Sequence, residues 1–206
     1  MKHGFVGIMV AIAALGLQLT SAQADEAADA VIANLQKSHN GELNANVRYL
    51  AFAVKADEEG YQSVAALFRA AADSEAIHAQ KFAATITKLG AVPKTEMEKP
   101  VVKSTRENLE AALQGETAEK DTIYPAFAKQ AGEAKQANAA MFFRSAMAAE
   151  TEHAKFYKQA LDKMDDWKAA GKEFAVCQVC GYTVMGVPPL KCVVCAAPRG
   201  KFKVIK

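Results

Sequence analysis

Two Glu-x-x-His pairs, Glu75 with His78 and Glu150 with His153, carry the first chemistry legible in this chain. On a helix of ~3.6 residues per turn, positions i and i+3 share a face, so each pair aims a carboxylate and an imidazole at one point. Complementary carboxylates are present: Glu42, in Gly41-Glu42-Leu43-Asn44, and Glu116 with Glu119 at the same i, i+3 spacing. Carboxylates bridge neighbouring cations and offset their repulsion, and neutral imidazoles complete coordination shells that suit iron. Glu42, Glu75, Glu116, Glu119 and Glu150 with His78 and His153 would nearly neutralise a ferric pair and leave positions open for an oxidant. A single Glu-x-x-His is weak evidence, because solvated helix faces carry such pairs, and Glu58, Glu59 and Glu107 read as solvent-facing. His39, close to Glu42, is likewise expected to be solvated rather than a ligand.

The two pairs sit inside a repeat. Leu67-Phe68-Arg69-Ala70-Ala71 leads to Glu75, His78 and Ala79, and Phe142-Phe143-Arg144-Ser145-Ala146 leads to Glu150, His153 and Ala154. Alanine-rich helices resemble one another by chance, but chance does not readily place Glu-x-x-His at one offset from Phe-Arg twice. A duplicated helix pair with approximate two-fold symmetry is the reading this favours.

A second metal motif lies near the C-terminus. Cys177-Gln178-Val179-Cys180-Gly181 and Cys192-Val193-Val194-Cys195 are Cys-x-x-Cys knuckles separated by 11 residues, a tetrahedral tetrathiolate pattern. Zinc would make it a structural ribbon, and iron an electron carrier. In an oxidising compartment the same residues could form two disulfides. A redox-capable site earlier in the chain favours iron.

The elements that must position these groups are mostly helical. The chain is rich in Ala, Glu, Lys, Gln and Leu with only 6 prolines, and four helical segments are separable: about 27–57, 61–88, Ser104 to 131, and 135–170. Asp57-Glu58-Glu59-Gly60, Leu89-Gly90, Gly132 and Gly171 punctuate them, and Ser104 with Glu107 forms a capping box. Pro125 falls inside the third segment and is expected to kink or locally unwind it. A ferritin-like four-helix bundle over residues 25–170 accommodates this pattern. The turn-rich segment 171–206 is too short to bury a core, so a metal must hold it together.

The N-terminus reads as a signal peptide of residues 1–24: a weakly basic start, an apolar run from Phe5 to Leu17, and a small-residue site ending at Ala24. An uncleaved anchor is the alternative, although the run is short for a membrane span. The mature protein is then expected to be exported, in the periplasm if the source is Gram-negative, with no stable membrane span. A net charge of +2 gives no argument for nucleic acid.

With both motifs placed, the chain resembles the rubrerythrins from about Val31 to Lys206, through Glu42, Glu75-x-x-His78, Gly115-Glu116-x-x-Glu119, Glu150-x-x-His153 and the paired Cys-x-x-Cys. The resemblance implies a di-iron centre in the bundle, a rubredoxin-like Fe(Cys)4 knuckle and a homodimer in which one subunit's knuckle serves its partner's bundle. Glu119 is the extra carboxylate that separates this family from ordinary ferritins and exchanges with a histidine, here His78, as iron ligand. Tyr49, on the face of Glu42, and Tyr124, matching a family tyrosine, are expected near the pocket, either one able to hydrogen-bond a ligand glutamate. The expected activity is that of a peroxidase-type oxidoreductase: hydrogen peroxide reduced to water, electrons relayed from an unidentified donor, protection from oxidative stress. A ferroxidase using oxygen, or a zinc-knuckle structural protein without turnover, are the rivals. The export signal is a departure from the family pattern and puts cytoplasmic electron donors in doubt.

Overall fold

The computed structural model describes residues 21–206, with side chains from residue 25. The apolar run and basic start read as a signal lie outside the described residues. Five α-helices come first: α1 Ser21–Glu58, α2 Gln62–Lys88, α3 Thr105–Ala118, α4 Tyr124–Glu133 and α5 Ala137–Asp162. A π-helical turn, Glu119–Ile123, joins α3 to α4, so the two together form the third rod of a four-helix bundle. Among the described residues, no helix is long and apolar enough to cross a membrane.

The interruption expected at Pro125 takes the form of this π turn, immediately ahead of the proline at the start of α4. Pro125 has no N–H to donate to the preceding turn, and the wider loop accommodates its ring. The break assigned to Gly132 comes slightly later: α4 runs to Glu133, and Lys135 makes the turn at φ 58°. The fourth helix stops at Asp162 rather than near residue 170, and a 3-10 turn over Met164–Trp167 follows.

Ser104 caps α3 as its sequence suggests, its hydroxyl accepting from the Glu107 backbone N–H while the Glu107 carboxylate takes the Ser104 backbone N–H. The long α2–α3 connection is pinned by amide side chains one turn apart on α1. Gln36 accepts from the Lys94 N–H at 2.8 Å, Asn40 from Glu96 at 3.1 Å and Asn44 from Glu98 at 2.8 Å. The i, i+4 spacing along a helix matches alternate residues of an extended chain, so otherwise unpaired backbone N–H groups find partners.

Each rod passes through two apolar layers with a polar one between. Tyr49, Phe52, Phe68, Leu109 and Tyr157 belong to one buried cluster, and Leu35, Phe82, Tyr124 and Phe143 to the other. On α1, Glu42 falls between Leu35 and Tyr49; on α2, Glu75 and His78 fall between Phe68 and Phe82. The same order recurs on α3–α4 around Glu116 and on α5 around Glu150 and His153. In the first cluster Tyr49, Phe52, Phe68 and Tyr157 pack with ring centroids 5.4–6.2 Å apart, mostly tilted or edge-on, which closes this end of the layer with a dense aromatic plug.

The C-terminal module is a three-stranded antiparallel sheet, order β2-β1-β3, with β1 Phe174–Cys177, β2 Thr183–Met185 and β3 Phe202–Ile205. Its core is three buried cysteines, so its stability depends on what those sulfurs bind.

Candidate metal centre

The buried layer gathers the side chains singled out in the sequence. Glu42, Glu75, His78 and Glu150 form one group, and Glu75, Glu116, Glu150 and His153 a second, with the ligand atoms of each within 4.8 Å of one another. Glu75 and Glu150 belong to both, as bridging carboxylates must. His78 Nδ1 lies 2.8 Å from Glu75 and 3.2 Å from Glu150, and His153 Nδ1 lies 3.0 Å from Glu150 and 3.2 Å from Glu75. Glu119 is in neither group. It sits on the π turn, close enough that its charge helps raise Glu42; burial and the charges of Glu116, Glu150 and Glu75 raise its own carboxyl well above the usual range, against the opposing pull of the Arg48 guanidinium.

The fit to a cation pair rests on polar atoms left without partners. Glu42 Oε2, Glu75 Oε1, Glu116 Oε2, both Glu150 oxygens and His153 Nδ1 are buried and make no hydrogen bond. Buried polar groups are otherwise nearly always satisfied, so six orphans in one layer mark the place of missing positive charge. The remaining carboxylate oxygens are held. Tyr49 Oη donates to Glu116 Oε1 at 2.6 Å, and Tyr124 Oη donates to Glu42 Oε1. Both tyrosines thus orient ligand glutamates.

Without metal, protons take over part of the neutralisation. Burial and the charges of Glu150 and Glu75 push Glu116 up to about 8, and burial with Glu119 raises Glu42. Burial alone would lower His78 and His153, but the facing carboxylates outweigh it and raise both. Burial also opposes ionisation of Glu150, yet the two imidazoles hold it down at about 2.

The distal nitrogens of both histidines are fixed by the C-terminal module. His78 Nε2 meets the Cys180 carbonyl at 3.1 Å, and His153 Nε2 meets Thr183 Oγ1 at 3.0 Å. A carbonyl only accepts, so His78 Nε2 carries the hydrogen. Thr183 donates its own hydroxyl to the Gly181 carbonyl at 3.2 Å, so it too accepts from histidine. Each imidazole is thereby set with Nδ1 turned to the carboxylates. Ser74 Oγ donates to the Gly181 carbonyl at 2.8 Å, and Gln178 and Lys203 reach Asp73.

Within the single chain the C-terminal module packs against its own bundle. The connection is short and docked, with Trp167 buried, Gln62 N–H donating to the Lys168 carbonyl and Ser63 Oγ to Ala169. Ser74, Gly181 and Thr183 had no signal in the sequence beyond Gly181's place after a Cys-x-x-Cys. The expectation for His39 is corrected: it is buried, and its Nδ1 lies 2.9 Å from the Ala79 carbonyl, tying α1 to α2.

Cys177, Cys180, Cys192 and Cys195 converge within 4.8 Å and are unbridged, with Sγ–Sγ contacts of 3.7 and 3.6 Å. A disulfide requires ~2.05 Å, so the paired-disulfide reading falls. Burial raises Cys180, whereas backbone N–H groups of Cys195 and Val194 outweigh burial and hold Cys192 below the usual thiol range. Such backbone donors stabilise metal-bound thiolates.

Four rods, two Glu-x-x-His pairs and complementary glutamates define a ferritin-like dinuclear carboxylate protein. The Rubrerythrin family model matches residues 33–161, and the model described as "Rubrerythrin, rubredoxin-like domain" matches residues 176–203. Nigerythrin of Nitratidesulfovibrio vulgaris is 34% identical over 185 residues, covering 88% of this chain and 89% of its own. A rubrerythrin of Porphyromonas gingivalis is 33% identical over 172 residues, covering 81% and 85%. The solved structure of fully reduced, all-ferrous nigerythrin superposes with a TM-score of 0.78 at 31% identity, over 94% of this chain and 91% of that one. The chain belongs to the rubrerythrin family: its bundle carries a di-iron site and its C-terminal module a four-cysteine rubredoxin-like site.

Two predictions test this geometry. A Cβ at Gly181 would sit 2.3 Å from His78 Nε2 and 2.9 Å from Ser74 Oγ, at φ +83°, whereas one at Gly186, φ +78°, meets nothing. Gly181→Ala should therefore lower the bundle's iron affinity by about tenfold or more, as loss of a ligand's hydrogen-bond partner does. Gly186→Ala carries similar backbone strain and should not; competition with a chelator measures both. The second concerns pH. Glu116 binds its proton more tightly folded than unfolded, so its contribution is full below 4.5 and lost as pH rises towards about 8; the raised histidines act in the same direction. Within the buried layer Glu150 opposes, and its contribution disappears below 4.5; the exposed Glu59, Glu107 and Asp165 are lowered as well but lie in solvent, where such shifts carry little weight. Melting curves of metal-free protein should show Tm falling between about pH 5 and about pH 9, and bound iron should abolish that fall.

Proposed function

We propose that this protein reduces hydrogen peroxide to water at the di-iron site, with electrons entering through the four-cysteine site, and so protects against oxidative stress. The observation that carries the reading is the contact between the Cys180 carbonyl and His78 Nε2. Cys180 would hold the knuckle ion and His78 one of the pair, so one residue's backbone would link the two redox centres. Iron, when bound, supplies two electrons to peroxide and recovers them singly.

The chain's own residues do the rest. Tyr49 and Tyr124 fix Glu116 and Glu42 while keeping their own protons, since burial raises both phenols well above the usual range. Tyr157, buried against the same layer with no partner for its hydroxyl, is a further proton-bearing group there. The two aromatic plugs exclude bulk water along the bundle axis. Glu119, on the π turn beside the ligand set, would be a further carboxylate able to hold an iron in place of His78. Export to an extracytoplasmic space, with the reductant it requires there, belongs to the same proposal and rests on the N-terminal sequence.

Oxidation of ferrous ion by oxygen is the second reading. It is favoured by likeness to Desulfovibrio desulfuricans bacterioferritin, at TM-score 0.64 and 26% identity over 70% of this chain and 85% of that one. It leaves the knuckle without a task. Stopped-flow oxidation of the fully reduced protein separates the two: peroxide should outpace oxygen at equal concentration, and the reverse result would transfer the assignment to ferroxidase. Glu119→Ala and His78→Ala should each slow peroxide turnover by more than about tenfold, with circular dichroism unchanged. Wild-type rates in both variants would remove these residues from the mechanism.

A further inference from the structure

A cavity of about 710 Å³ lies between the bundle and the knuckle. This falls within the ~300–1,000 Å³ typical of pockets that enclose small organic ligands, and is far more than peroxide needs. Its walls include the edge of His78 on one side and Cys180 and Cys195 on the other, so it borders ligands of both metal sites. Phe82, Phe142, Val179 and Val194 make it largely apolar.

Two cations line it. Lys81, half-buried, lies 5.7 Å over the Phe142 ring, and Arg144 is exposed. Neither pairs with a carboxylate among the described residues. The repeat makes this informative: Arg69, the counterpart of Arg144, is paired with Asp57. An apolar chamber with two unspent cations is matched by an organic anion with an aromatic or aliphatic body.

Position decides between an oxidant and a reductant. The chamber reaches the His78 ring, both of whose nitrogens are engaged, and none of the carboxylates is among the residues that line it. Electrons need no passage to the carboxylate layer, only proximity to the cysteines or the imidazole edge. We propose that this cavity binds a flat aromatic anion that donates electrons, of the reduced flavin mononucleotide class. The proposal rests on the peroxide reading for its purpose. The balance then closes: the reduced flavin loses two electrons and two protons, and peroxide takes up both as its O–O bond breaks to give two waters.

The test is equilibrium dialysis of flavin mononucleotide against the full metal-loaded chain, which reads the cavity whether or not peroxide is turned over. One flavin per chain should bind saturably. Lys81→Glu and Arg144→Glu should each weaken binding by about tenfold, and riboflavin, lacking the phosphate, should bind wild type correspondingly less. Neither substitution touches a metal ligand, and pre-reduced flavin should reduce the knuckle about tenfold more slowly in Arg144→Glu while dithionite reduces both proteins alike. Absence of saturable binding below about 1 mM, or equal binding by wild type and both variants, overturns the proposal. Displacement of flavin by decanoate that itself binds more tightly assigns the chamber to aliphatic anions and overturns it as well.

Discussion

Everything in this molecule is arranged around the cost of burying four carboxylates in one dry layer. Two unit charges ~4 Å apart at an effective dielectric of ~20 repel by about 4 kcal/mol, and Glu75 and Glu150 lie within that order of separation of each other and of both Glu42 and Glu116. No arrangement of apolar side chains offsets such repulsion; only cations or protons can. The layer is therefore a demand for positive charge, and the plugs above and below it keep water from meeting that demand. Tyr49 and Tyr124 donate from those plugs, so the apolar clusters also steer the charged groups.

The same logic extends to the tail. A module of three short strands with cysteines for a core has little independent stability, yet it supplies the hydrogen-bond acceptors for both histidine ligands. Each site thus supports the other: the bundle offers Ser74, Asp73 and the imidazole edges as a dock, and the docked module fixes imidazole tautomers. At Gly181 the absence of a side chain lets the module's backbone meet the His78 ring and the Ser74 hydroxyl.

Much of this was legible from spacing. Glu75-x-x-His78 and Glu150-x-x-His153 announce a shared face because helix geometry leaves them no other place, and the capping box at Ser104 is a local hydrogen-bond pattern. Pro125 announced a disturbance but not its form, since a kink, a break and a π turn relieve the same clash. Contacts formed across 102 residues, as between His78 and Cys180, leave no trace in local pattern. His39 misled for a related reason: its neighbours in sequence are polar, but the facing surface of α2 brings the Ala79 carbonyl within reach of its ring. The position of Glu119 outside the ligand groups was equally hidden, because i, i+3 spacing with Glu116 holds for a regular helix and the π turn begins at that residue.

The docking of the knuckle over the imidazole edges has a consequence for how the protein is made. Once closed, that cover shields His78 and His153 from the side, so the order in which the two compartments are loaded matters: a bundle filled while the tail is still loose meets open histidines, and a tail folded first around its own ion closes the door.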